Sequence, residues 1–122
     1  MRSREELVNR VAKFLGKLVA GQPLEAEDYA SIDDELQSVV DNLSERGIVY
    51  VPDLDNIEDA IFLPLARVIT SVVCSDFAVP LASISGFVGP TPQTTEPRKS
   101  ETELRVLGRN PPSNDTIRVV NF

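Results

Sequence analysis

The sequence predicts a mainly α-helical protein: a small antiparallel helical bundle with a long loop or arm and an extended C-terminal peptide. Three observations support this. Apolar residues recur every three or four positions over residues 1–80, helix start and stop signals flank these stretches, and proline and glycine crowd the segment that follows. With 122 residues the chain has the length of one domain. We assign residues 1–80 to the helical core and residues 81–122 to an arm, a short helix and a terminal peptide.

The first helix is predicted to begin after Ser3 and to end at Gly16. Ser3 and Glu6 have the spacing of a capping box, in which each side chain accepts a hydrogen bond from the other residue's backbone N–H. Gly16 is expected to end the helix in the left-handed conformation. One helix face is apolar, and the other carries the basic residues Arg10, Lys13 and Lys17.

A second helix is predicted from Glu25 to Arg46, with Gly47 as the stop signal. Its inward face is expected to consist of apolar and aromatic residues, namely Tyr29, Ile32, Leu36, Val39, Val40 and Leu43. The β-branched run 48–51 that follows fits either an extended connector or one strand of a small ribbon.

A third helix is predicted over residues 61–73, with Pro64 in its first turn, where a missing N–H matters least. A turn that begins upstream at Glu58 and precedes a kink is the alternative start. Cys74 near its end is expected to be a buried structural thiol. The apolar passage 60–73 is interrupted by Pro64 and Arg67 and is shorter than the roughly 20 residues that cross a bilayer, so we expect no membrane span.

The chain changes character after Val79, because repeated proline and glycine forbid one continuous helix. Residues 86–99 are predicted to form a long loop or arm. Ser100 and Glu103 form a second capping box, which predicts a short helix over about residues 101–107 that closes at Gly108. The last six residues, 117–122, are rich in β-formers and are expected to be extended.

Composition excludes several kinds of chemistry. The sequence has no histidine and one cysteine, which rules out histidine catalysis, an intramolecular disulfide and a Cys/His zinc site within one copy. Residues 53–58 lack the glycine and the later glutamate of a calcium loop, and no phosphate-binding glycine loop or nucleophile motif is present. We therefore predict that the protein is not an enzyme and needs no cofactor or metal.

Acidic residues are concentrated in one part of the sequence. The net charge is −7, yet residues 25–59 alone hold twelve acidic side chains and one basic side chain, Arg46. This band can be a solvated surface that keeps the protein soluble. It can also line a passage through which DNA moves without sticking, or meet a basic surface of a neighbouring subunit. The candidate residues for these two roles are Asp33, Asp34, Glu35 and Asp41.

The order of several short segments resembles one family, the head-to-tail adaptor proteins of tailed bacteriophages, also called tail accessory factors or packaged-DNA stabilisation proteins. The resemblance covers roughly residues 4–80 and resumes at residues 103–105 and 117–122. It rests on the order and spacing of Leu15-Gly16, Val19–Pro23, Glu45–Ile48, Ile61–Ala66 and Asp76–Pro80.

The resemblance implies a homo-oligomeric ring, commonly of about twelve copies, that docks beneath the portal protein in the neck of the virion after assembly in the host cytoplasm. The lower face of the ring would receive the tail, and DNA would pass the channel without specific binding. The portal contact would be made by Ile117, Arg118, Val119, Val120, Asn121 and Phe122. Relatives carry a long fourth helix where residues 86–97 interrupt it here, which suggests an arm that contacts a neighbour or a tail component through Phe87, Val88, Arg98 and Lys99.

Two other functions are consistent with the composition. A small acidic helical module could bind a basic host or phage protein as a monomer or dimer. Cell-wall hydrolysis by carboxylates is a third hypothesis, although the sequence offers no recognisable carboxylate pair for it.

Overall fold

A computed structural model describes residues 2–17 and 24–109. The protein is mainly helical and forms a small helical bundle, as the sequence predicts. Helices α1, α2 and α3 pack against one another, and α4 packs on α3. Short 3₁₀ turns follow α3 and lead towards α4. The four helices are α1 (Arg4–Leu15), α2 (Ala26–Glu45), α3 (Asp59–Val73) and α4 (Arg98–Arg109).

Both predicted caps of α1 are confirmed. The Ser3 hydroxyl accepts from the Glu6 N–H at 3.2 Å, and the Glu6 carboxylate accepts from the Ser3 N–H at 3.1 Å. These hydrogen bonds satisfy backbone donors that have no partner within the helix. Gly16 ends the helix with φ of 76°, and the Lys17 N–H donates to the Ala12 carbonyl at 2.9 Å.

Helix α2 lies within one residue of its predicted bounds. Its predicted inward positions are buried, apart from Tyr29, which is half-buried. Gly47 follows the helix with φ of 68°, and the Ile48 N–H returns to the Leu43 carbonyl at 2.9 Å. Residues 48–51 form an extended connector in which Tyr50 points outward while Ile48, Val49 and Val51 are buried.

The connector before α3 is tied to the start of the chain. Arg2 and Ile57 exchange two backbone hydrogen bonds of 2.7 Å each, which form an isolated antiparallel bridge. Ile57 is fully buried beneath this bridge. The bridge therefore fixes the entry to α1 and the approach to α3 at the same end of the bundle.

The prediction that Pro64 lies in the first turn of α3 is wrong. The helix begins at Asp59, so Pro64 lies in the second turn and deprives the Ala60 carbonyl of its usual N–H donor. Cys74 is buried, as predicted, and its thiol donates to the Ser71 carbonyl.

The continuous helical stretch Asp59–Phe77 is long and apolar enough to cross a membrane by length and composition alone. More than half of it is buried inside the bundle, at 56%. Its apolar character is therefore accounted for by its central place in the core.

Residues 86–97 form a loop, which is one of the two forms predicted for residues 86–99, and not a projecting arm. The segment folds against the bundle, because Ile84 and Phe87 are buried in the same core as α1–α3. The Phe87 ring meets Phe14 of α1 edge to face, with 5.3 Å between ring centroids. The Glu96 N–H donates to the Phe87 carbonyl at 2.7 Å and closes the loop. The core thus extends beyond residue 80, and it includes Leu104 of α4.

Helix α4 starts earlier than predicted. It begins at Arg98, so Ser100 lies inside its first turn and is not the N-cap. The capping role belongs to Glu96, whose carboxylate accepts from the Ser100 N–H at 3.1 Å and from the Ser100 hydroxyl at 2.8 Å. Gly108 was predicted to close the helix, but the helix continues through it to Arg109.

Candidate functional site

The outward face of α2 carries a stripe of four exposed carboxylates. Because seven residues make nearly two helical turns, positions seven apart lie on one face. We call this set the acidic stripe, and it lies opposite the buried face of α2. Its members are Glu27, Asp34, Asp41 and Glu45.

The four acidic residues singled out from the sequence do not form one cluster. Asp34 and Asp41 belong to the acidic stripe, and Asp41 accepts a hydrogen bond from the Gln37 amide at 2.9 Å. Asp33 and Glu35 are half-buried, on opposite flanks of the helix. Glu27 and Glu45 were not predicted as site residues, although the seven-residue spacing of Glu27, Asp34 and Asp41 was a sufficient signal.

Asp33 is engaged inside the bundle. Its carboxylate accepts from Arg4 Nε at 2.5 Å, and a second Arg4 nitrogen donates to the Asp33 carbonyl at 3.4 Å. The hydrogen bond to Asp33 raises the pKa of Arg4 above its usual value, although burial acts in the opposite direction. This pair joins the start of α1 to α2, and the Asp33 side chain stays 31% exposed.

The outward face of α1 is basic, and it forms one side of a groove of about 180 Å³. We call this the basic groove. Phe62 of α3 lies in it, and the Arg2 guanidinium covers the Phe62 ring at 4.9 Å from the centroid. Arg2 is also paired with Glu6 at 3.1 Å and with Asp59 at 3.4 Å. The groove is lined by Arg2, Glu6, Asn9, Arg10, Lys13 and Phe62.

Arg10 and Lys13 differ from Arg2 in this groove. Within residues 2–17 and 24–109, neither side chain forms an ion pair. Both were predicted to lie on the polar face of the first helix, with no role. Among the described residues, they are the cations of the basic groove that are not paired with a carboxylate.

A larger groove of about 450 Å³ lies where α2 ends and faces α4. Arg46 and Arg105 line it together with Tyr50, which is 72% exposed. Arg46 is already engaged, since its two terminal nitrogens donate to both Glu101 carboxylate oxygens at 3.4 and 2.6 Å. The pair attaches α4 to the end of α2.

The four residues predicted to make arm contacts lie in different surroundings. Phe87 is 1% exposed and is part of the core, so the prediction that it contacts a neighbour is wrong. Its burial follows from a nonlocal partner, Phe14. Val88 is half exposed, and Arg98 and Lys99 are exposed in the first turn of α4. These three remain on the surface.

The predicted portal-docking residues Ile117–Phe122 lie outside the described residues. Within the described part of the chain, no group of three or more metal-binding side chains comes together.

No protein-family model matches the sequence, and comparisons with curated proteins and with solved structures give no significant match.

Proposed function

We propose that this protein is a structural protein of a tailed bacteriophage: a ring-forming adaptor that docks under the portal, helps to retain packaged DNA and presents a surface for attachment of the tail. It acts by contacts and not by catalysis. Its place is the neck of the virion, and its partners are further copies of itself, the portal protein and tail proteins.

The observation that carries this proposal is where the resembling segments fall on the helices. Leu15-Gly16 ends α1, Glu45–Ile48 spans the end of α2, Ile61–Ala66 lies in α3, and Asp76–Pro80 follows α3. These segments therefore lie in or beside the helices of a small helical bundle, which is the fold that the resemblance implies. The resembling segment Val19–Pro23 lies outside the described residues.

Because residues 84–97 fold onto the bundle, fewer segments remain as candidates for contact with other chains. With Phe87 buried, an extended arm no longer supplies the contact between subunits or with the tail. Portal docking stays with Ile117–Phe122, as the resemblance implies. Alternating apolar residues such as Ile117 and Val119 suit addition to the sheet edge of a partner, where backbone hydrogen bonds give affinity and pockets give specificity.

The test of this proposal is removal of residues 117–122. We expect the truncated protein to keep its helical circular dichroism spectrum and its thermal midpoint but to lose binding to purified portal in a pull-down. The full chain and a variant in which the exposed Gln93, outside the docking peptide, is changed to alanine serve as controls. Portal binding that survives the truncation would contradict the docking assignment, and absence of portal binding by the full chain would contradict the proposed function.

The acidic stripe favours a second candidate, a small acidic module that binds a basic host or phage protein. The two functions differ in location. The adaptor is a stoichiometric component of purified particles, whereas a module of the second kind is absent from them and is recovered from infected cells with a basic protein.

A further inference from the structure

The charge of the bundle is divided between two helix faces. Residues 2–17 hold five basic and two acidic side chains, whereas residues 25–59 are strongly acidic. The basic groove lies on the outward side of α1, and the acidic stripe lies on the outward side of α2. Because α1 and α2 pack through their apolar faces in one molecule, these two outward faces cannot meet each other within one copy.

We propose that the basic groove of one copy binds the acidic stripe of a second copy. Arg10 and Lys13 would face Asp34 and Asp41 of the neighbour, with the aliphatic parts of the two cations providing apolar contact. Arg2 is held by Glu6, Asp59 and the Phe62 ring, so it shapes the groove and leaves Arg10 and Lys13 to pair with the partner.

The contact joins two different surfaces of the molecule. When two copies pair through one groove and one stripe only, each still presents an unused face to a further copy, which is a heterologous interface, whereas reciprocal pairing of both faces closes a two-fold dimer. Heterologous contacts close into a ring when the rotation between copies allows it, and otherwise form a filament. The inference deepens the proposed adaptor function and rests on it for the position of the ring in the virion. It assigns the stripe to the contact between subunits instead of the wall of a DNA passage.

A DNA duplex is the competing occupant of the basic groove. Phosphates would pair with Arg10 and Lys13, but the net charge of −7 and the nearby carboxylates oppose approach of a polyanion. The acidic stripe of a second copy carries the opposite charge and occurs at the same concentration as the groove. We therefore favour the second copy.

Charge reversal on each face provides the test. The variants R10E/K13E and D34K/D41K change exposed or half-exposed side chains, so we expect both to fold, with thermal midpoints near that of the unmodified protein. Sedimentation equilibrium at about 20 mM and about 500 mM salt measures self-association, which should weaken as salt screens the contact. Each variant alone should associate on the order of tenfold or more weakly than the unmodified chain.

An equimolar mixture of the two variants gives the decisive result. In the mixture every groove again faces a stripe of opposite charge, so association should be restored, and it should also be restored in the variant that carries all four changes. The control D76K/E103K changes the net charge as much as D34K/D41K does, at exposed positions away from both faces, and should leave association unchanged.

Three results would overturn the proposal. They are a monomer at every concentration in low salt, failure of the mixture to associate, or binding of a short DNA duplex that R10E/K13E abolishes while self-association is absent. Portal binding by a protein that stays monomeric would overturn this contact and leave the adaptor function standing. Self-association without portal binding would contradict the adaptor function and leave this contact standing.

Discussion

Replacing Phe87 with alanine tests whether residues 84–97 are part of the folded core. The side chain is 1% exposed and meets Phe14 at 5.3 Å between ring centroids. Truncation of a buried phenylalanine to alanine costs about 3–5 kcal/mol, and loss of the aromatic pair accounts for about 0.5–1.5 kcal/mol of it. Phe14 is half-buried, so the site lies near the surface and we expect a value near the lower end, about 3 kcal/mol.

Urea denaturation followed by far-ultraviolet circular dichroism measures this loss. With an m-value of about 1–1.5 kcal/mol/M, the midpoint should fall by about 2–3 M. The neighbouring Val88 is 50% exposed, and its change to alanine should alter the free energy of unfolding by no more than about 0.5 kcal/mol. If both variants unfold within about 0.5 kcal/mol of the unmodified protein, the segment is not packed on the bundle and the reasoning fails.

Two further predictions concern the helix starts. Ser100→Ala should lower the free energy of unfolding, measured by urea denaturation, by about 1–3 kcal/mol, because it removes a hydroxyl donor at 2.8 Å from the buried Glu96 carboxylate. Thr102→Ala, at an exposed position, should lower it far less. Equal losses in the two variants would count against the buried pair. The hydrogen bond from the Ser3 N–H, and then that from Arg2, lowers the pKa of Glu6 below its usual 4.5. Stability from this carboxylate is therefore present above about pH 4.5 and lost as the pH falls through the lowered pKa, so Glu6→Gln should flatten the thermal midpoint's dependence on acid pH; an unchanged profile would contradict the capping box.

Helices α1 and α2 could be predicted closely because their signals are local. The Ser3 capping box, the left-handed glycines after each helix and the three-to-four spacing of apolar residues all act within a few positions of one another. Ser100 offers the same capping pattern as Ser3, but Glu96 lies within reach upstream and takes the backbone N–H and the hydroxyl of Ser100. The sequence alone does not show that Glu96 competes with Ser100 as the capping residue, because this depends on how the chain around Glu96 folds.

The burial of Phe87 depends on residues that are distant from it in the sequence. Nothing near it in the sequence indicates that Phe14, on the first helix, provides its partner. A segment rich in proline and glycine resembles a free arm whether or not its few apolar side chains reach a core. Burial of one ring was enough to change the interpretation of the whole segment.

The candidate acidic surface was predicted in part. Its location on the second helix was evident from composition, but neighbouring residues in a helix point about 100° apart, so Asp33 and Asp34 have different surroundings. Asp33 pairs with Arg4, whereas Asp34 shares the outward face with Glu27 and Asp41. The basic groove could not be predicted, because Phe62 comes from another helix.

The most direct test of the adaptor function is an image of the neck of the phage particle at side-chain resolution. We predict a ring of copies of this chain directly beneath the portal, with Ile117–Phe122 seated on the portal and the basic groove of each copy against the acidic stripe of the next. A neck that contains no copy of this chain would contradict the proposed function.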